Sequence, residues 1–223
     1  VIPGKIENFG GPVIVRLKGK TDESFSKFNL GEPTVAKFDQ TNNKPLGTTS
    51  GDTTHLDIID KWGNMVSATP SGGWLQSSPI IPDLGFCLSN RAQMFWLDEN
   101  SPSCLVPGKR PRTTLSPSLA LKEGKPYMVF GTPGGDQQDQ WSLHLFLRHI
   151  HFDLNLQESI DAPGFNTAHF PNSFYPRETD IGSLFVERRF PKSTIKKLIS
   201  KGHNVIIEDE WSLGRMTAAS KNG

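Results

Sequence analysis

The sequence predicts an α+β fold in which helices pack on an antiparallel sheet. Three observations carry that expectation. Short strand-like runs dominate as far as Thr132, helical periodicity begins only after Pro133-Gly134-Gly135, and strand-like runs return near the end. The 21 glycines and 17 prolines among 223 residues supply the turns that many short strands need.

From Lys20 to Ser50 the chain is rich in Lys, Asp, Thr, Asn, Gly and Pro without sustained periodicity. Residues 1–52 therefore read as an extended lead-in and residues 53–223 as the folded unit. Thr53 to Asp60 reads as a strand with Leu56 and Ile58 on one face, Lys61-Trp62-Gly63-Asn64 as a turn, and Met65 to Thr69 as the returning strand. A loop follows at Pro70-Ser71-Gly72-Gly73. Further strands are expected at Gly85–Ser89, Leu115–Lys122 and Tyr127–Thr132, the last two joined by Glu123-Gly124-Lys125-Pro126. A helix is expected from about Asp136 to His151, with Trp141, Leu145, Phe146 and Ile150 at helical spacing. Asn155-Leu156-Gln157-Glu158 has capping-box spacing for a second helix ending near Pro163. Ser193 to Lys201 forms a third, stopped by Gly202. Val205–Ile207 and Arg215–Ala219 are the closing strands, and no internal repeat is apparent.

Composition excludes several classes. With 24 Lys+Arg against 23 Asp+Glu the net charge is +1, unlike a protein that binds nucleic acid by neutralising many phosphates. No apolar stretch approaches the roughly 20 residues of a membrane-spanning helix, so neither nucleic acid nor membrane is expected as a partner. The first thirty residues lack signal-peptide character, and the chain starts without Met, as a piece of a longer precursor would. A soluble protein of cytoplasm or periplasm is expected, the compartment being open. Cys87 and Cys104 read as two unpaired buried thiols; without Cys-x-x-Cys or a nearby His pair, neither a metal nor another cofactor is expected. His144, His149 and His151 lie on the predicted helix, but no acidic residue has metal-ligand spacing to them.

Three stretches could carry chemistry. In Gly51-Asp52-Thr53-Thr54-His55, cleavage before Thr53 would leave an α-amine on the same residue as a hydroxyl. An amine of unperturbed pKa ~7.7–8.0 can act as general base for that hydroxyl. In Gly131-Thr132-Pro133-Gly134-Gly135, two glycines ahead of a helix bare backbone N–H groups that can hold an oxyanion or a phosphate. In Pro107-Gly108-Lys109-Arg110-Pro111-Arg112-Thr113-Thr114-Leu115-Ser116-Pro117, three cations and adjacent hydroxyls can hold a carboxylate or phosphate. Taken singly, each reads first as something plainer: a strand edge, a strand-to-helix turn and a solvated basic loop. Their order along the chain is the specific signal.

From Asp52 to about Ala219 the chain resembles the catalytic small subunit of the gamma-glutamyltransferase family, N-terminal-nucleophile hydrolases. The likeness rests on Thr53-Thr54-His55 with Asp60-Lys61-Trp62-Gly63-Asn64, on Asn90-Arg91, on Pro107 to Pro111 with Thr113 to Pro117, and on Gly131 to Gly135. Asp161-Ala162-Pro163 also matches. The resemblance implies a four-layer αββα sandwich made as a self-cleaving precursor. Thr53 would be both the autoproteolytic residue and the nucleophile, Gly134 and Gly135 the oxyanion hole, and Ser71 the hydroxyl that orients Thr53. Thr113 and Thr114 would contact the donor's carboxylate, with Asn90 and Arg91 also at the substrate, and residues 1–52 would be the tail of the large subunit.

The sequence also departs from the transpeptidases of that family. Gly73 stands where they carry Asn, and Met94 where they carry the Asp that holds the donor's α-ammonium. The pattern looks more like the family's acylase-type or uncharacterised members than its glutathione transpeptidases. The expected activity is hydrolysis or transfer of a γ-glutamyl or related acyl amide through an acyl-threonine ester, with water as the preferred acceptor. The expected partners are the small amide substrate and the precursor's missing large subunit. The alternative is an uncleaved, non-catalytic relative that binds a small carboxylate.

Overall fold

The computed structural model describes residues 53–73, 79–174, 177 and 179–221; the expected lead-in, 1–52, lies outside them. Among the described residues, ten strands and three helices follow one another: β1 Leu56–Ile59, β2 Met65–Ala68, β3 Ile80–Ile81, β4 Phe86–Cys87, β5 Ser118–Lys122, β6 Lys125–Gly131, α1 Gln138–His151, α2 Leu156–Asp161, β7 Phe165–Ala168, β8 Asp180–Glu187, α3 Lys192–Ser200, β9 Asn204–Glu208 and β10 Thr217–Ser220. The fold is α+β, and no described helix is long and apolar enough to cross a membrane.

β1 and β2 form an antiparallel hairpin whose turn is built by Asp60. Its carboxylate accepts from the backbone of Trp62 and Asn64 and from the Asn64 amide at 2.9, 2.9 and 2.7 Å, while Gly63 takes φ +87°. These donors, the Asn64 side chain foremost, hold the Asp60 carboxyl below its ordinary pKa. The hairpin lies on one face of the sheet β10-β6-β5. α1 and α2 cover the other face, where Met128, Phe130 and Leu145 form a core with Ala120, Leu156, Ile160 and Ala218. The β5–β6 turn is tighter than expected. Lys122 already pairs with Lys125, so only Glu123 and Gly124 turn, both at positive φ as two-residue hairpin loops favour.

The expectation of a purely antiparallel sheet is corrected by β7-β8-β9. β7 pairs β8 antiparallel, but β8 and β9 are parallel and joined through α3. Neither β7 nor β8 was expected. In β8, Phe185 faces Trp141 and Leu213, whereas Leu184 and Val186 face Ile195. A strand buried on both faces has no alternation to read, which is why Leu184-Phe185-Val186 gave no strand signal. The buried Glu187 at its end accepts from the backbone of Gly164 and Leu213, both at 3.1 Å, and from Arg189. It thereby anchors the α2–β7 turn and the approach to β10.

Other expectations hold with small shifts. The strand at Gly85–Ser89 shrinks to Phe86–Cys87 paired with Ile80–Ile81. The first helix opens with one 3-10 turn, Gly135–Gln137, before α1. Cys87 and Cys104 are free thiols; Cys104 is buried and Cys87 half-buried. The α2 capping box is complete: Asn155 Oδ1 accepts from the Glu158 N–H and Glu158 Oε2 from the Asn155 N–H, both at 2.9 Å. Arg148 of α1 donates to the carbonyls of Ser159, Ala162 and Pro163, giving the Asp161-Ala162-Pro163 stretch its structural role. Asn155→Ala is expected to lower the unfolding free energy by about 1 kcal/mol, read as a lower urea midpoint at unchanged slope.

Candidate active site

Alternation along β1 turns Leu56 and Ile58 away from the sheet beneath, where they are 40% and 55% exposed. They share a face, as expected, but it is the outer one. The inner face carries Thr53, His55 and Asp57. The register that pairs Asp57 with Ser67 sets His55 opposite Thr69 and Thr53 opposite Ser71. Each of these rungs is polar on both sides. Thr53 Oγ1 lies 2.7 Å from Ser71 Oγ, and His55 Nδ1 lies 2.7 Å from Thr69 Oγ1.

His55 is the member that sequence reasoning missed. Its side chain is fully buried, with Nε2 3.1 Å from Asp57 Oδ2, which also accepts from Thr217 Oγ1 at 2.6 Å. A carboxylate oxygen accepts, so Nε2 carries a hydrogen toward Asp57, while Nδ1 meets the Thr69 hydroxyl. Asp57 Oδ1 is buried without a hydrogen-bond partner among the described residues. Across the interface, Gly131 of β6 touches the imidazole so closely that a methyl group there would overlap the ring. Ser67 donates to the Phe130 carbonyl at 3.2 Å. Moving along the hairpin from Asp57 to His55 thus corresponds to moving along β6 from Phe130 to Gly131. A polar inward residue beside a glycine across two sheets is a signal that a β-period reading of Thr53 to Asp60 contained, had it followed the polar face instead of the apolar one.

Ser71 sits in a loop closed by Gly72. This glycine has φ +79° and packs against Arg91 and Asn90, and its carbonyl accepts from the Asn90 N–H at 2.7 Å. Asn90 and Arg91 are therefore brought to the Ser71 loop; Arg91 is buried and lies 5.9 Å over the Phe174 ring. Beyond β6, Gly134 and Gly135 have φ +135° and +63°, and any side chain at Gly134 would collide with Trp141. Gly134 therefore demands glycine, Gly135 takes a left-handed φ that glycine favours, and the turn they form leads into the positive end of α1.

Thr113 and Thr114 run beside the same helix start. The next residues connect there: Ser116 N–H donates to Gln138 Oε1 at 3.3 Å. Thr113 is exposed and its hydroxyl accepts from the Leu115 N–H at 3.0 Å, whereas Thr114 is buried. The three cations do not converge, as in the solvated basic loop that the sequence also allows. Lys109 donates to the Pro102 carbonyl, Arg110 is exposed, and Arg112 lies 3.6 Å from Asp136. Met94 is fully buried, a core residue.

The histidines of α1 also separate. His149 bonds the Tyr127 hydroxyl at 2.7 Å and the Leu154 carbonyl at 2.8 Å, and His151 is exposed. His144 stacks on Phe165 at 3.9 Å between ring centroids. Burial and then the nearby Arg148 push its pKa from 6.5 down to about 4. His144 and His149 are thus partly buried and partnered. No group of three His, Cys, Asp or Glu among the described residues is placed to hold a metal.

Comparison with known proteins follows this geometry. The family model described as gamma-glutamyltranspeptidase matches residues 20–223. The chain belongs to that family. A gamma-glutamyltranspeptidase relative, the glutathione hydrolase-like YwrD proenzyme of Bacillus subtilis (strain 168), is 33% identical over 170 residues, covering 76% of this chain and 31% of its own length. The oxamate amidohydrolase proenzyme of Klebsiella pneumoniae is 34% identical over 185 residues, 81% of this chain and 34% of its own. The solved structure of LmbA2991T421A superposes with a TM-score of 0.71 at 53% identity, covering 78% of this chain and 31% of that one. The chain thus spans about a third of the length of the curated relatives it matches.

Two measurements check this packing and electrostatics. Gly131→Ala is expected to cost about 1–3 kcal/mol of stability by overlap with His55, and most of that cost should disappear in a His55→Ala background. For His144, the unfolded chain binds the extra proton between pH ~4 and ~6.5. Stability is then full above ~6.5 and declines as pH falls toward ~4, a slope in thermal unfolding that His144→Gln removes.

Proposed function

We propose that residues 53–223 are the catalytic portion of a self-cleaving amide hydrolase or acyltransferase in which Thr53 is the nucleophile. The observation that carries this reading is the 2.7 Å contact between Thr53 Oγ1 and Ser71 Oγ, at the open end of a buried polar ladder. Following the hairpin toward Thr53 follows β6 toward Gly134 and Gly135, so hydroxyl and glycine turn extend from the same end of two packed sheets. Membership of the gamma-glutamyltranspeptidase family and the proenzyme names of its relatives support the same assignment.

In this reading Thr53 Oγ1 attacks the Asp52 carbonyl, the Asp52–Thr53 C–N bond breaks to leave an ester and a free Thr53 amine, and water hydrolyses that ester to release the Asp52 carboxylate and restore the hydroxyl. That amine then takes the hydroxyl proton as Oγ1 attacks the substrate amide carbon. The N–H groups of Gly134 and Gly135 bind the oxyanion, aided by the start of α1. Collapse breaks the C–N bond, the leaving amine takes the proton, and water resolves the acyl-threonine ester. Ser71 orients Thr53, and Thr113 and Thr114, with Asn90 and Arg91, hold the substrate. The acyl group is γ-glutamyl or a relative of it; because Met94 offers no charge, an α-ammonium is not required there.

The four-layer αββα arrangement belongs to this proposal. Hairpin, three-stranded sheet and the α1–α2 layer supply β, β and α in order. Outside the hairpin, Leu56, Ile58 and Val66 form an exposed apolar face suited to a helical layer from the rest of the precursor.

In the full-length precursor, Thr53 is expected to appear as a new chain end by N-terminal sequencing. Thr53→Ala should abolish both that cleavage and turnover of γ-glutamyl and glutaryl amides. Ser71→Ala should lower kcat on the order of a hundredfold with little change in KM. Turnover that survives Thr53→Ala would overturn the assignment.

A further inference from the structure

Beside the proposed catalytic segments lies a cavity of about 630 Å³, within the size range of pockets that hold small organic ligands. Two of its lining residues continue directly from those segments: Arg112 precedes Thr113, and Asp136 follows Gly135. Trp96 and Phe170 form apolar walls, and Asp139 and Gln140 of α1 complete the polar side.

The charged groups differ in how far they are committed. Asp136 accepts from the Ser173 N–H at 2.8 Å and from the Ser173 hydroxyl, and its side chain is only 18% exposed. Asp139 is exposed and accepts from the Gln140 N–H at 2.8 Å. Arg177, behind the wall, donates to the carbonyls of Ser173, Gln93 and Phe95 and stacks on Trp96 at 4.4 Å, which fixes the indole. Arg112 is different. Its side chain is 44% exposed and meets Asp136 at 3.6 Å, longer than a hydrogen bond, so its planar donors remain suited to a ligand carboxylate. Phe170, 74% exposed, offers a large apolar face at the same opening.

We infer that this cavity is a specificity subsite for a flat, aromatic group bearing a carboxylate, carried on one side of the amide that Thr53 cleaves. The carboxylate pairs with Arg112 while the ring packs between Trp96 and Phe170. The location of the subsite stands on the cavity alone; its use in turnover rests on the proposed Thr53 chemistry.

The experiment uses the full-length precursor and has two arms. In the first, 4-nitrobenzoate is titrated against tryptophan emission. Saturable quenching that disappears in Trp96→Phe and weakens on the order of tenfold in Arg112→Gln is expected. Absence of saturable quenching, or quenching indifferent to Arg112→Gln, overturns the subsite whether or not the enzyme is active. In the second, glutaryl amides of 4-aminobenzoate and of aniline are compared, together with a series carrying the aromatic carboxylate on the acyl side. Arg112→Gln should lower kcat/KM on the order of tenfold for the carboxylate of one series and leave glutaryl anilide nearly unchanged. Equal losses on both, or none, overturn the specificity role. If Thr53 becomes a chain end and anilide is hydrolysed, that failure leaves the proposed function standing. If cleavage fails while quenching follows Arg112, the opposite holds.

Discussion

The contact between His55 and Gly131 sets the geometry at this end of the molecule. An imidazole buried between two sheets needs partners for both nitrogens and room for its ring. Asp57 and Thr69 supply the partners on the hairpin, Thr217 braces Asp57 from β10, and the missing side chain of Gly131 supplies the room. Each member constrains the distance or the rotation between hairpin and sheet. Because Thr53 and Ser71 are the next rung of the same hairpin, their mutual position follows from a packing contact that neither of them makes.

Glycines play a comparable part elsewhere around the site, each for a stated steric reason. Gly72 lets the Ser71 loop close on Asn90 and Arg91, and Gly134 lets the chain turn under Trp141 before α1 begins. Trp141 is in turn packed by Phe185 of β8 and Leu213. Glu187 ties that strand to the α2–β7 turn and to the approach to β10. The Gly134–Gly135 turn is thus supported by β8 through one aromatic side chain. This linkage gives a physical function to β8, which contributes no residue to the proposed chemistry.

Charge is distributed in a similarly divided way. Close to Thr53 the polar ladder is neutral in its hydroxyls and holds its one acidic group, Asp57, between two donors. Arg112, more exposed, meets Asp136 at the start of α1, in a cavity that Trp96 and Phe170 also line.

Local features were legible without coordinates. The Asn155–Glu158 capping box, the Asp60–Asn64 turn, the glycine stop of α3 and the motif order that marks the family all act over a few residues. Their physics is written in neighbouring side chains. What tertiary structure alone decided is which face of β1 turns inward, that β8 exists and pairs parallel with β9, and that Arg112 leaves Lys109 and Arg110 to meet Asp136. Those outcomes depend on groups far apart in sequence. A strand buried on both sides loses its period, and a polar residue becomes the better core residue only when a glycine from another sheet makes space and its hydrogen-bond partners arrive with it.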